Sequence, residues 1–204
     1  ILISIVIITC NIRGMYDTLR HALRDAAFQV GSIITTTGYS TTDFDLWPGA
    51  SKTILVTLML IGACAGSTGG GFKVSRLVVL CKTIRKEMRQ VLHPKSVGVT
   101  LMDGKPVPHE VLRSINVFMV AYFLIFAAST FLISFDEFDL VTNFTAVAAT
   151  LNNIGPGLAA VGPARSFALF SPGAKLVLIF DMLAGRLELL PMLILFGKET
   201  WKRF

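Results

Sequence analysis

Two short segments, Thr35-Thr36-Thr37-Gly38-Tyr39-Ser40 and Asn152-Asn153-Ile154-Gly155-Pro156-Gly157, each place a glycine just after an apolar, helix-compatible stretch. Glycine tolerates backbone conformations closed to other residues, so such a turn can aim successive carbonyl oxygens at one axis. Rings of carbonyl oxygens can replace the hydration shell of a cation. A Cβ at either glycine would narrow the opening. The stretch before each turn, read as a helix, points its partly negative C-terminal end at the same place, which favours a cation. The chemistry within reach is coordination by main-chain oxygen, with no covalent step.

Other residues with chemical potential give weaker signals. The run Gly62-Ala63-Cys64-Ala65-Gly66-Ser67-Thr68-Gly69-Gly70-Gly71 interrupts an apolar segment. Such backbone holds a helix poorly, and unwound chain at membrane depth is tolerated where it lines a cavity. A flexible kink or a close helix contact explains the run as well. A phosphate-binding loop would need Gly-Lys-Ser/Thr, whereas Gly71 is followed by Phe72-Lys73-Val74, so that reading is rejected. Asp181, Arg186 and Glu188 fall in the last apolar run, where ionisable groups are costly and mark function by default. A structural pair of Arg186 with Asp181 or Glu188 is the alternative, although spacings of five and two suit same-helix pairing badly. Asp43 and Asp45 follow the first glycine turn and either concentrate cations or sit in a solvated loop. His21, His93 and His109 lack partners at ligand spacing, so no transition-metal site is expected. Cys10, Cys64 and Cys81 lie in or beside apolar runs and read as filler. Asn143-Phe144-Thr145 matches a glycosylation sequon by accident, and Pro191 is expected to kink the final helix.

The elements that must position these residues follow from composition. The 204-residue chain is 53% hydrophobic and only 16% charged, against about a quarter charged in a soluble domain. That deficit points to a bilayer as solvent. It begins with Ile1 in the middle of an apolar run and is read as a piece of a longer protein, with no secretory signal peptide. The net charge of +6 is not spread evenly. Residues 72–113 hold nine Lys/Arg and three acids, residues 13–48 three Arg and four Asp, residues 136–173 one Arg and three acids. Basic loops stay cytoplasmic, so 72–113 and the Lys198, Lys202, Arg203 tail are placed inside and the other two segments outside. This pattern reports topology and excludes nucleic acid as the partner.

Apolar runs give a partial span ending near Cys10, a short one from Gly49 to about Gly62, an amphipathic continuation from Phe72 to about Leu92, and spans over Ser114–Phe135 and Ala174–Phe196. Between them, Thr18–Thr37 and Leu140–Asn153 start and finish outside and are too short or too polar to cross. They are expected to be re-entrant. The chain also repeats itself. Pro48-Gly49-Ala50-Ser51-Lys52 then Met59-Leu60-Ile61-Gly62 matches Pro172-Gly173-Ala174-Lys175 then Met182-Leu183-Ala184-Gly185 once Ser51 is dropped. Upstream, Phe28 and Phe144 precede their glycines at nearly the same distance. Repetition about an axis is how membrane pores are built.

Thr36-Thr37-Gly38-Tyr39-Ser40 resembles the TVGYG filter of potassium channels, and Asn153-Ile154-Gly155-Pro156-Gly157 resembles a degenerate copy. With GACAGSTGGGFKVSR and MLAGRLELLP, the wording is similar to the Trk/Ktr/HKT superfamily of cation transporters, in particular its bacterial Trk-type membrane subunits, over essentially the whole chain. The resemblance implies an all-α membrane protein of repeated helix–pore loop–helix units, with two of four repeats present. Residues 1–92 would be the third repeat, 93–113 a cytoplasmic connector and 114–204 the fourth repeat. It implies potassium uptake across the bacterial cytoplasmic membrane. Carbonyls of Thr36, Thr37, Gly38 and Tyr39 and of Asn153, Ile154, Gly155 and Pro156 would coordinate the ion. Gly66, Ser67, Thr68, Gly69, Gly70 and Gly71 would form an intramembrane gate beside Arg186. It further implies a homodimer and a cytosolic nucleotide-binding regulatory subunit, with K+ as cargo, no resident cofactor and no enzymatic activity. Two other classes stay open at this point: an ion-coupled transporter with alternating access, and a membrane enzyme or assembly subunit whose glycines only pack helices.

Overall fold

The structure, a computed structural model, describes residues 1–62, 71–93, 98–187 and 194. Among these residues the chain forms seven α-helices. They are α1 (Leu2–Ile12), α2 (Leu19–Ile34), α3 (Gly49–Leu60), α4 (Val74–Leu92), α5 (His109–Ile133), α6 (Leu140–Leu151) and α7 (Pro172–Arg186).

The order is the same on both sides of the connector. In each half a middle helix is packed between the helix before it and the helix after it: α2 against α1 and α3, and α6 against α5 and α7. The two middle helices start on side-chain caps. Thr18 accepts the His21 N–H and Asp139 accepts the Thr142 N–H, satisfying donors that a helix start leaves without partners. Helix α7 begins the same way, with Ser171 accepting the Ala174 N–H and Pro172 in its first turn, where a missing N–H costs nothing.

Each half has its own core, and each core borrows from the other half. Ile8, Ala26, Val30, Ile33, Leu55 and Met59 pack together with Ile154 and Leu158 from beyond α6. Phe118, Tyr122, Phe126, Val147, Leu151 and Leu178 pack together with Phe72 from before α4. The exchange fixes the two halves against each other, α3 lying against α6. Helix α5 adds a guanidinium–ring contact, with the Arg76 side chain 4.0 Å from the centre of Phe118.

The outward faces are apolar. On α5, Val120, Phe123, Leu124 and Phe131 are more than half exposed, as are Leu2, Ile3 and Val6 on α1 and Leu176 and Ile179 on α7. Patches of this extent need lipid or further protein to cover them. Residues 109–136, α5 with its final 3₁₀ turn, form the one helix among the described residues that is long and apolar enough to cross a membrane.

Several expectations shift by a few residues. The first helix runs on to Ile12, and α5 starts at His109, so the last turn assigned to the connector is continuous with the span. Helix α7 starts at Pro172, and most of its expected continuation toward Phe196, including Glu188 and Pro191, lies outside the described residues. Lys198, Lys202 and Arg203 also lie outside them. Helix α3 stops at Leu60 and α4 starts at Val74. Between them a short parallel pairing joins β1 (Ile61–Gly62) to β2 (Phe72–Lys73), with Ile61 opposite Phe72 and Gly62 opposite Lys73. The two ends of the glycine-rich segment are thus side by side. The connector contains a small hairpin that the apolar pattern did not suggest, β3 (Leu101–Met102) against β4 (Lys105–Pro106). Its turn residues, Asp103 at φ 51° and Gly104 at φ 77°, are the Asp-Gly pair a two-residue hairpin turn favours.

Candidate functional site

Helices α2 and α6 end by the same device. After α2, the Thr37 N–H donates to the Ser32 carbonyl at 2.9 Å and the Thr36 N–H to the Ile33 carbonyl at 3.1 Å. After α6, the Ile154 N–H donates to the Ala149 carbonyl at 2.9 Å and the Asn153 N–H to the Thr150 carbonyl at 3.0 Å. This is the closing pattern in which one residue turns left-handed so that the last carbonyls find donors. That residue is Thr36 at φ 55° in one case and Asn153 at φ 54° in the other. Asparagine is at home there, but a β-branched residue is an outlier. Strain of this kind, worth about 1–3 kcal/mol, persists only where the surroundings over-determine it.

The pairs Thr36/Asn153 and Gly38/Gly155 therefore correspond residue for residue. The same register matches Ala27, not Phe28, to Phe144. The two phenylalanines that suggested an upstream match in the sequence are one residue out of step. Downstream, the matched lysines occupy matched places. Lys52 Nζ donates to the Asp45 carbonyl at 3.0 Å and Lys175 Nζ to the Ala168 carbonyl at 2.9 Å, each seven residues back. The 3₁₀ turns Phe44–Leu46 and Phe167–Leu169 are also capped alike, by the side chains of Asp43 and Ser166.

The two glycine turns meet. Gly38 has φ +76°, and a Cβ built on it would stand 2.0 Å from the Ile154 carbonyl oxygen and 3.4 Å from the Pro156 ring. Gly155 has φ +117°, and a Cβ there would face the Gly38 Cα at 3.9 Å. Thr36 to Tyr39 and Asn153 to Pro156 are thus brought into one cluster at the C-terminal ends of two helices. Beside the second turn, between α6 and α7, lies a mostly apolar cavity of about 610 Å³, bordered by Ile154, Gly155, Leu178 and Met182.

Behind each turn is a polar bracket that the sequence reading did not single out. In the first, the Ser32 hydroxyl donates to the Tyr39 carbonyl at 2.6 Å, and buried Gln29 donates through Nε2 to Ser40 Oγ at 2.9 Å. The Tyr39 carbonyl is thus engaged from behind, while its ring is largely exposed. In the second, Thr145 Oγ1 accepts the Leu158 N–H at 3.0 Å and Thr142 Oγ1 accepts the Ala160 N–H at 3.2 Å. Asp139, capping α6, accepts from the Thr142 hydroxyl, and that bond holds its carboxyl below the usual carboxylate range. The only hint of this bracket in the sequence was the sequon Asn143-Phe144-Thr145. Asn143 is buried and donates to the Phe138 carbonyl at 3.0 Å. Thr145→Val leaves the buried Leu158 N–H without its acceptor and is expected to cost about 1–3 kcal/mol. Thermal unfolding of the full-length protein reads this out. Thr130→Val, which deletes only a bond to the carbonyl one turn back, should change little.

Asp45 ties together the loops that follow the two turns. Its Oδ1 accepts the Ala159 N–H at 3.0 Å and lies 3.9 Å from Lys52 Nζ. Asp43 caps the Asp45 N–H at 3.1 Å. Both acids, read as possible attractors of cations, are engaged in holding loops.

Of the expected gate, Gly66, Ser67, Thr68, Gly69 and Gly70 lie outside the described residues. Gly71, at φ +80°, is described, and a Cβ on it would lie 2.2 Å from Asn152 Oδ1. Asn152 is fully buried at the end of α6. It donates to the Ala148 carbonyl at 2.7 Å and accepts from the Tyr122 hydroxyl at 3.0 Å. Gly71 therefore sits against the residue just before the second turn. Gly185 closes on the same place, with a built Cβ 1.8 Å from the Leu151 carbonyl oxygen. Arg186 follows it and is exposed. Asp181 is fully buried and accepts from the Ser129 hydroxyl at 2.6 Å.

A family model described as TrkH, cation transport protein, matches residues 11–202. The Trk system potassium uptake protein TrkH of Salmonella typhimurium is 39% identical over 189 residues, covering 93% of this chain and 39% of its own length. TrkG of Escherichia coli strain K12, also named a Trk system potassium uptake protein, is 34% identical over 189 residues, covering 93% of this chain and 38% of its own. The crystal structure of the potassium transporter TrkH from Vibrio parahaemolyticus superposes with a TM-score of 0.88 at 37% identity, over 98% of this chain and 43% of that one. The chain spans about two fifths of the length of these relatives. A sequence match along nearly its whole length and a shared fold agree: the chain belongs to the TrkH family of cation transport proteins.

Proposed function

We propose that the chain is the C-terminal part of a potassium uptake protein of the bacterial cytoplasmic membrane and supplies half of its selectivity filter. The observation that carries this reading is the contact of two glycine turns, Gly38 against Ile154 and Gly155 against Gly38, at the ends of two identically closed helices. Carbonyls of Thr36 to Tyr39 and Asn153 to Pro156 stand in for water around K+, with the Tyr39 oxygen shared with Ser32. The paired helix ends contribute partial negative charge, and the Ser32, Gln29, Thr142 and Thr145 brackets keep the turns from collapsing once the ion leaves. Two further repeats, from the part of the protein these residues do not include, close the ring. Gly66 to Gly71 form the gate beneath it, next to Arg186, whose charge raises a barrier to cations. The relatives' designation as parts of a Trk system supports a regulatory partner, taken here as a cytosolic nucleotide-binding subunit acting on a homodimer, with residues 72–113 and the C-terminus cytoplasmic. Transport with no enzymatic step and no resident cofactor fits this arrangement.

The test is growth of a potassium-uptake-deficient bacterium carrying the full-length protein. Gly38→Asp is expected to abolish rescue, because a carboxylate enters the meeting point of the turns. Arg186→Ala is expected to raise flux. Equal growth of wild type and both variants overturns the filter. Flux strictly coupled to a second ion, without unitary currents, would favour alternating access.

A further inference from the structure

We propose that the cleft between the C-terminal half of α4 and residues 98–101 holds the phosphate of an anionic membrane phospholipid. Lys82, Arg85, Lys86 and Arg89 recur at helical spacing and share one face of α4. All four line a cavity of about 500 Å³ whose opposite wall is Gly98, Val99, Thr100 and Leu101. That wall is held close: Lys82 Nζ donates to the Leu101 carbonyl at 2.9 Å, and a Cβ on Gly98 would lie 3.1 Å from Lys86 Cγ. The acid beside the group is Glu87, exposed, with a carboxylate oxygen 3.7 Å from Lys86 Nζ.

A second observation points to a ligand. Thr100 lines the same cleft, is 5% exposed, and its hydroxyl is buried with no protein partner. Buried hydroxyls are ordinarily bonded, and an unpartnered one on a residue lining a cleft of cations is suited to donate to a phosphate oxygen that the cations neutralise.

The choice of a lipid over a free anion comes from the rest of the helix. Ile84, Met88, Val91 and Leu92 form an adjacent stripe that is 57% to 81% exposed. A basic face beside an apolar face is the pattern of a helix lying in the membrane interface, its apolar stripe at the acyl boundary and its cations at the headgroups. Basic residues on the cytoplasmic side of a membrane span recognise acidic headgroups in this way. The inference rests on the membrane placement proposed above and is independent of the filter.

The test is native mass spectrometry of the full-length protein in detergent, titrated with phosphatidylglycerol, phosphatidylcholine or inorganic phosphate. Wild type is expected to retain phosphatidylglycerol at least about tenfold more tightly than phosphatidylcholine, with Arg85→Gln/Arg89→Gln losing about tenfold or more of that affinity. Thr100→Val, which removes no charge, is expected to weaken retention about threefold. Unchanged retention in the variants overturns the proposal, leaving the charges as topology signals only. Displacement of the lipid by millimolar inorganic phosphate overturns it in favour of a free phosphoryl ligand. Rescue of potassium uptake is measured in parallel: a wild-type protein that supports uptake but does not prefer phosphatidylglycerol condemns this site alone, and a wild-type protein that fails to support uptake condemns the transport reading.

Discussion

Gly38→Ala is expected to eliminate potassium uptake by the full-length protein, while Gly155→Ala retains a measurable fraction of it. The two glycines look equivalent in the sequence, but their surroundings differ. A methyl group on Gly38 would sit 2.0 Å from the Ile154 carbonyl oxygen and 3.1 Å from its carbon. Both are main-chain atoms, so no side chain can rotate aside and the turns must separate. Left-handed backbone at φ +76° adds about 1–2 kcal/mol for any residue with a Cβ. At Gly155 the nearest atom would be the Gly38 Cα at an ordinary 3.9 Å, and the penalty is conformational, at φ +117°. Strain there costs about 1–3 kcal/mol. Drawn from the transport barrier, that is a fall of about five- to a hundred-and-sixtyfold. Rubidium or potassium influx into a strain lacking its own uptake systems measures both. Equal influx in the two variants would show that the contact with Ile154 does not govern the opening.

The second large effect is on stability. Gly185→Ala would place a methyl 1.8 Å from the Leu151 carbonyl oxygen, 2.8 Å from its carbon and 3.0 Å from Asn153 Nδ2. Helix α7 lies against the end of α6 at this point, and the Asn153 amide donates to the Met182 carbonyl at 3.0 Å. The overlap is again with main chain, so α7 must move away from α6 and pull on the second glycine turn. Overpacking of a well-filled site costs about 1–3 kcal/mol and sometimes more. Tryptophan fluorescence on heating the full-length protein is expected to show a clear drop in Tm. Gly49→Ala, where nothing lies within 4 Å, is the control and should be neutral or slightly stabilising. If the two variants melt together, the α6–α7 contact does not carry the stability assigned to it.

The helices, their order and the two glycine turns were legible because apolar length and helix-breaking residues act locally. The match of Lys52 with Lys175 was legible too, since both anchor the start of a helix to the loop behind it. The mistaken pairing of Phe28 with Phe144 shows the limit. Helix α2 buries Ala22, Ala26 and Val30 on its packing face, so half-exposed Phe28, two positions from Ala26 and from Val30, carried no register information. What escaped the sequence was the polar support. Ser32, Gln29, Thr142 and Thr145 act through main-chain groups or side chains beyond the next turn of the chain, and only Thr145 falls in a motif, a sequon unrelated to this role. Asp45 was noticed for its charge, yet its partner Ala159 is more than a hundred residues away, and only the folded chain brings the two together. The pairing of Ile61 and Gly62 with Phe72 and Lys73 was invisible for the same reason.

The link from the Asp45 carboxylate to the Ala159 amide has a mechanical meaning. It is a strut between the loops that follow the two glycine turns, braced by Lys52 on one side. On the proposed reading of those turns as half a filter, a sideways pull on either loop is shared by the other. Asp45→Asn, which weakens the strut without removing it, is then expected to loosen the entrance by a graded amount.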